Sequence, residues 1–151
     1  MLRRISGAYK KAPFYSDSIG LFEEIFFYQT DNLFDYIFHS INRICHYLEI
    51  STEITITSDL GNFQNLLGQD KVISICKKAK ASRYYNSAGG RELYQRQEFD
   101  RHGISLHFLE ANKIEYTQFG NAFVANLSIL DVLMFNDPPK IRSVLTEYSV
   151  S

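Results

Sequence analysis

Between residues 50 and 109 the apolar pattern switches repeatedly between period two and the helical period, and few folds accommodate that alternation. Residues 50–58 read Ile-Ser-Thr-Glu-Ile-Thr-Ile-Thr-Ser, β-branched and alternating, which predicts a strand. Ser58-Asp-Leu-Gly61 breaks it, and a polar loop leads to helical spacing over residues 70–80, with Val72, Ile73, Ile75 and Cys76 on one side. A second strand is predicted over residues 83–86, ending in Ser87-Ala-Gly-Gly90. Helical composition returns over residues 91–101, Gly103 stands where a C-cap belongs, and residues 104–109 alternate as a third strand. The order is β-α-β-α-β. Crossovers of this length return each strand parallel to the last, with helices over the sheet.

The flanks are helical. Residues 2–11 form a helix that stops where Ala12-Pro13 forces extended backbone. A second helix is expected after Ser16, with Ser16 or Asp17 as its N-cap. In the third, Asp31 or Asn32 caps a stripe of Phe34, Ile37, Phe38, Ile41, Ile44, Cys45 and Leu48. Many of the 10 Tyr and 12 Phe fall between Pro13 and Tyr47, so this stretch must bury much surface against something. After the third strand comes an irregular segment through Tyr116 and Phe119. Short helices are expected beyond it at residues 127–135, capped by Ser128, and 139–148. The sequence therefore reads as one α/β domain over residues 1–151: a helical segment (1–48), a β-α-β-α-β core (50–110) and a C-terminal cover (111–151).

Composition narrows the function classes. A formal charge of −1 supplies no basic field for nucleic acid or anionic lipid, and the basic run Arg3, Arg4, Lys10 and Lys11 reads as a solvated helix face. No signal peptide or membrane-length apolar run is present, so the cytoplasm is the expected compartment. Cys45 and Cys76 sit among apolar residues and read as reduced thiols. His39 and His46, seven apart, lie beside an apolar stripe, and His102 and His107 lack the i, i+4 spacing of a helical zinc site. No metal is expected.

In open parallel sheets ligands bind beyond the carboxyl ends of strands. Two loops qualify here. Ser87, Gly89 and Gly90 put small residues before a helix start, where amide groups suit a phosphate or carboxylate and Arg91 adds a charged donor. The same glycines also suit a tight turn. Ser58 and Asp59 leave the neighbouring predicted strand; Asp59 either positions a hydroxyl or amine or caps a turn. Tyr116 and Gln118 come after the third strand and either hydrogen-bond a ligand or pack.

Several short blocks, in order, resemble the WbqC-like proteins of bacterial surface-polysaccharide gene clusters. They are Tyr-Lys-Lys-Ala-Pro-Phe-Tyr at 9–15, Ser-Asp-Leu at 58–60, Tyr-Tyr-Asn-Ser-Ala-Gly-Gly-Arg at 84–91, Gly103-Ile104, Tyr-Thr-Gln-Phe-Gly at 116–120 and Asn-Leu-Ser-Ile-Leu-Asp at 126–131. The resemblance implies a Rossmann-like, three-layer domain with a small parallel sheet. It also implies a role in O-antigen or related glycan assembly, with transfer of glycine or another amino acid or acyl group to a sugar as the reaction. By position it brings forward Ser58, Asp59, Ser87, Gly89, Gly90, Arg91, Tyr116, Gln118 and Asp131 as ligand-binding candidates, and it assigns a catalytic role to none. The implied ligand is a nucleotide sugar, a phosphate or an amino acid, and no cofactor is implied. The blocks correspond to the C-terminal two-thirds of the family pattern, which usually opens with a strand, a Gln-Pro and aromatic motif and more sheet. Two expectations result: self-association through an exposed sheet edge, or a separately encoded N-terminal partner. A non-catalytic scaffold that pairs with such a partner is the competing reading.

Overall fold

The structure is a computed structural model that describes residues 1–120 and 122–151. In chain order its elements are α1 (Leu2–Tyr9), α2 (Tyr15–Phe26), α3 (Leu33–Tyr47), α4 (Thr57–Leu60), α5 (Gly68–Lys78) and β1 (Arg83–Ser87). A 3-10 turn (Ala88–Leu93) leads on to α6 (Arg96–Arg101), β2 (Ser105–Ala111), α7 (Ile129–Phe135), α8 (Pro138–Val144) and β3 (Tyr148–Val150). The fold is mixed α/β and mostly helical. Two compact units divide it: a helical unit, Met1–Thr52 with Lys113–Glu147, and a sheet unit, Glu53–Asn112 with Tyr148–Ser151.

In the helical unit, burial starts from the apolar faces of α2, α7 and α8. Leu21, Phe22, Ile25, Leu48, Leu133, Met134 and Ile141 form its core. Each such side chain contributes about 1.5–3 kcal/mol by leaving water. Two hydrogen bonds fix α7 on this core: the buried Ser18 hydroxyl donates to the Leu133 carbonyl at 2.8 Å, and the Phe14 amide donates to the Met134 carbonyl at 3.0 Å. The Asn32 side chain caps α3 by accepting from the Phe34 amide, and Ser128 caps α7 by accepting from the Leu130 amide, both as the sequence indicates. Helix α2 instead starts at Tyr15, ahead of Ser16 and Asp17, and Phe14 at its N-cap gives no side-chain cap.

The sheet unit holds a three-stranded sheet in the order β1-β2-β3. Strands β1 and β2 are parallel, Arg83 opposite Ser105 and Ser87 opposite Leu109, whereas β3 runs antiparallel to β2. Ile73, Cys76, Phe99, Ile104, Leu106 and Phe108 make its core. Gly103, at φ 70°, ends α6 as expected: its amide reaches the Asp100 carbonyl and the Ile104 amide the Phe99 carbonyl, closing a Schellman motif.

The predicted strand over residues 50–58 does not form. Residues 51–55 are exposed and outside any ladder, and residues 57–60 coil into α4. Alternation records a propensity, but a strand exists only where another strand supplies its hydrogen bonds, and that partner is a non-local matter. The sheet is therefore mixed, with one parallel pair in place of an all-parallel set. β3 was not foreseen: Tyr148, Ser149 and Val150 are all exposed, so no buried-face pattern announces it.

Candidate functional site

Asp131 and Phe135 are spaced four apart in α7, so the helix aligns them on one face while Leu133 and Met134 enter the core. That face borders a cavity of about 250 Å³, also lined by Tyr9, Gln118 and Phe119. Asp131 is the polar centre of this wall, and only 4% of it is exposed. Three neutral donors meet its carboxylate. The Tyr116 hydroxyl donates to Oδ1 at 2.6 Å, the Gln118 side-chain amide to Oδ1 at 3.0 Å, and the Tyr9 hydroxyl to Oδ2 at 2.9 Å.

Each donor is held by its own local structure. Tyr9 ends α1, which is tied to α2 by the Tyr15 hydroxyl donating to Ser6 at 3.0 Å. Gln118 also donates to the Val124 carbonyl at 3.1 Å and accepts from the Val124 amide at 2.9 Å, so both of its N–H donors are engaged and its orientation is fixed. The Tyr116 ring packs edge-on against Phe123. Burial pushes both phenols up to about 12, and the hydrogen bond to Asp131 pushes the same way, because ionised phenolate would face a carboxylate. Near neutral pH both tyrosines are donors. A carboxylate offers about four acceptor positions, and donors among the described residues fill three, so on that count Oδ2 keeps one for a further donor.

The candidates in the sheet unit are arranged differently. Ser58 and Asp59 lie in α4 rather than at a strand end, and both are exposed. No strand of the sheet precedes them, so they do not stand beyond a strand neighbouring β1 as expected. Ser58 does border a cavity of about 480 Å³ with Thr57, Asn62, Gln64 and Lys71. The local turn bond comes from Asn62, which accepts from the Gln64 amide at 3.0 Å. Ser87 closes β1, and Gly89 and Gly90 coil at once into the 3-10 turn. Gly90 is buried under Asn86, whose side-chain nitrogen would sit 2.7 Å from an added Cβ. Arg91 reaches the Ser151 hydroxyl at 2.8 Å and lies over the Phe108 ring at 5.0 Å.

The structure thus brings Tyr116, Gln118 and Asp131 together, while the sheet-unit candidates divide between α4 and the β1 end. Tyr9, Phe119 and Phe135 were not singled out as site residues. Tyr9 opens the first family-like block, which was its only signal, since a tyrosine at a helix end otherwise reads as packing. Among the described residues no group of three or more His, Cys, Asp or Glu is placed to hold a metal, and no helix is long and apolar enough to cross a membrane.

Residues 1–143 match the WbqC-like protein family, and the chain belongs to it. The match starts at residue 1, ahead of the block at Tyr9, and so covers nearly the whole chain. No curated protein and no solved structure matches.

Proposed function

On the premise of that membership, we propose that this protein acts in bacterial surface-polysaccharide (O-antigen) assembly, as a component that binds a small polar ligand in the Asp131 cavity and serves transfer of an amino acid or acyl group to a sugar. The observation that carries the reading is the buried Asp131 carboxylate, held by Tyr9, Tyr116 and Gln118 at the wall of a cavity with an acceptor position open. A carboxylate so placed orients a hydroxyl or an amine, which is what an acceptor group needs before it attacks an acyl carbon. Ser58, Asp59, Ser87, Gly89, Gly90 and Arg91 belong to the proposal as a second set of ligand contacts in the sheet unit. The Rossmann-like description of that unit rests on its single parallel crossover, β1 to β2.

The test is genetic and chemical. Deleting the gene should change the length distribution or the amino-acid substitution of the surface glycan, read by gel banding and mass spectrometry. Wild type should restore it and Asp131→Ala should not. An unchanged glycan in the deletion strain removes the proposal.

One feature favours the scaffold reading. Phe27, Leu33, Phe34, Ile37 and Ile41 are all exposed, Leu33 at 72%, along the end of α2 and one side of α3. Apolar surface of this kind suits a protein partner. If this reading holds, Ile37→Asp disrupts a reproducible partner in affinity purification, while Asp131→Ala leaves the glycan intact.

A further inference from the structure

The chemistry of the Asp131 cavity points to one class of ligand. Burying a carboxylate is costly unless a cation or strong hydrogen bonds compensate it. Here the compensation is partial. All three partners are neutral, none of the ion pairs among the described residues involves Asp131, and the described lining of the cavity holds no lysine or arginine. An anionic ligand would therefore meet a buried carboxylate with nothing to offset it. The rest of the described lining is apolar apart from Gln118: the rings of Tyr9, Phe119 and Phe135 share it with Ala8, Ala122, Val124 and Leu127, and the Phe119 and Phe135 rings meet edge-on at 4.8 Å. Aromatic rings attract cations through their quadrupole, and more strongly out of water. A buried acceptor and three aromatic rings lining one space are complementary to an ammonium group.

Building on the cavity as the ligand site, we propose that it recognises a protonated primary amine, borne by an amino-acid derivative or an amino sugar, with Asp131 as its counter-ion and the rings of Tyr9, Phe119 and Phe135 around it. A volume of about 250 Å³ accommodates the amine end of such a ligand. Both sources share the same recognised chemistry, and they differ in the scaffold that bears the amine.

Calorimetric titration of the full chain near neutral pH tests this with paired probes. Glycinamide represents the amino-acid source and glucosamine the amino-sugar source; N-acetylglycinamide and N-acetylglucosamine are their uncharged partners. At least one amine should bind about tenfold or more tightly than its acetylated partner, the worth of one charge-assisted hydrogen bond. Asp131→Asn should abolish that preference. Phe119→Ala, at a ring 42% exposed and outside the hydrogen-bond network, should weaken amine binding severalfold in a folded protein, and it serves where Asp131→Asn does not fold. Equal binding of amine and acetylated partner, binding of neither amine, or amine binding that survives both substitutions overturns the inference. A deletion strain with altered glycan and a protein blind to amines sinks this inference alone. Amine binding with an unaltered glycan sinks the polysaccharide role and leaves the amine site standing.

Discussion

In the helical unit, residues far apart in sequence, Tyr9, Tyr116, Gln118 and Asp131, converge on one buried carboxylate within 3.0 Å. In the sheet unit, the candidates fall in two short runs, 58–59 and 87–91, that stay on the surface or serve the fold: Gly90 admits the Asn86 side chain and Arg91 reaches Ser151. The contrast separates two ways a motif arises. A polar residue whose partners are distant and whose environment is dry restricts its neighbours from several directions, whereas a glycine-rich turn is explained locally. A buried polar cluster is costly to keep without a use, so the first kind marks a site more strongly.

The largest effects should come from the two cores and show whether the units are separate cooperative bodies. Phe99 and Leu133 are each fully buried, one in each unit. Phe99→Ala should cost about 3–5 kcal/mol and Leu133→Ala about 2–5 kcal/mol in denaturant unfolding. Hydrogen exchange should show Phe99→Ala weakening amide protection in β1 and β2, and Leu133→Ala doing so in α2 and α7. Loss of protection in both units from either substitution would erase the distinction.

Next in size is the Asp131 cluster. Asp131→Ala strands two phenols and one amide, at about 1–3 kcal/mol if water does not replace the acceptor. The network also has a pH signature. The unfolded chain loses the Tyr9 and Tyr116 protons near the ordinary value of 10.0, whereas the folded protein holds them to about 12. The unfolded state therefore binds fewer protons between these limits. Stability conferred by the raised phenols is full below about 10 and falls as pH rises through about 12. Phenolate absorbance and unfolding midpoints across that range should show Tyr9→Phe and Tyr116→Phe each flattening the fall. In Asp131→Asn both phenols should titrate lower, though still above 10.0, since burial is the larger cause. An unmoved titration would mean that Asp131 does not act on them.

Comparable in cost, though local, is Gly61. Its φ of 152° with an extended ψ is a conformation open almost only to glycine. Gly61→Ala should cost about 1–3 kcal/mol and displace the α4 turn, read as loss of exchange protection at Asp59.

These regions also differ in how far the sequence disclosed them. The capped, apolar-striped helix α3 behind Asn32 and the end of α6 at Gly103 were legible because their determinants lie within a few residues, whereas the start of α6 at Arg96, not residue 91, was not. The segment after Leu48 was not, since Ile50, Ile54 and Ile56 alternate as a strand does while the pairing that would make it one is decided elsewhere in the chain. Tyr116 and Gln118 were candidates by their place after the third strand, with packing as the alternative, and Asp131 emerged only through a family-like block. Nothing in the spacing of a tyrosine, a glutamine and an aspartate says that a loop will fold back over α7. Tyr9 was hidden for the same reason, more than a hundred residues from its acceptor.

The smallest predicted effect bears most directly on the contrast between the units. Arg91 is exposed, so its contact with the Phe108 ring should be worth about 0.5–1 kcal/mol. If Arg91 serves mainly to hold the strand beside it, Arg91→Ala should lower stability by that amount and speed hydrogen exchange or proteolysis over residues 148–151. Phe108→Leu would then produce part of the same loosening, and phosphate or carboxylate binding would stay where it was. If Arg91 is instead an anion donor, as its place after Ser87, Gly89 and Gly90 implies, Arg91→Ala should abolish phosphate binding with β3 undisturbed. Arg91→Lys separates the two further. It keeps the charge an anion needs but loses the planar fork that spans Ser151 and the Phe108 ring, so an anion site should be partly rescued and the strand clasp should not.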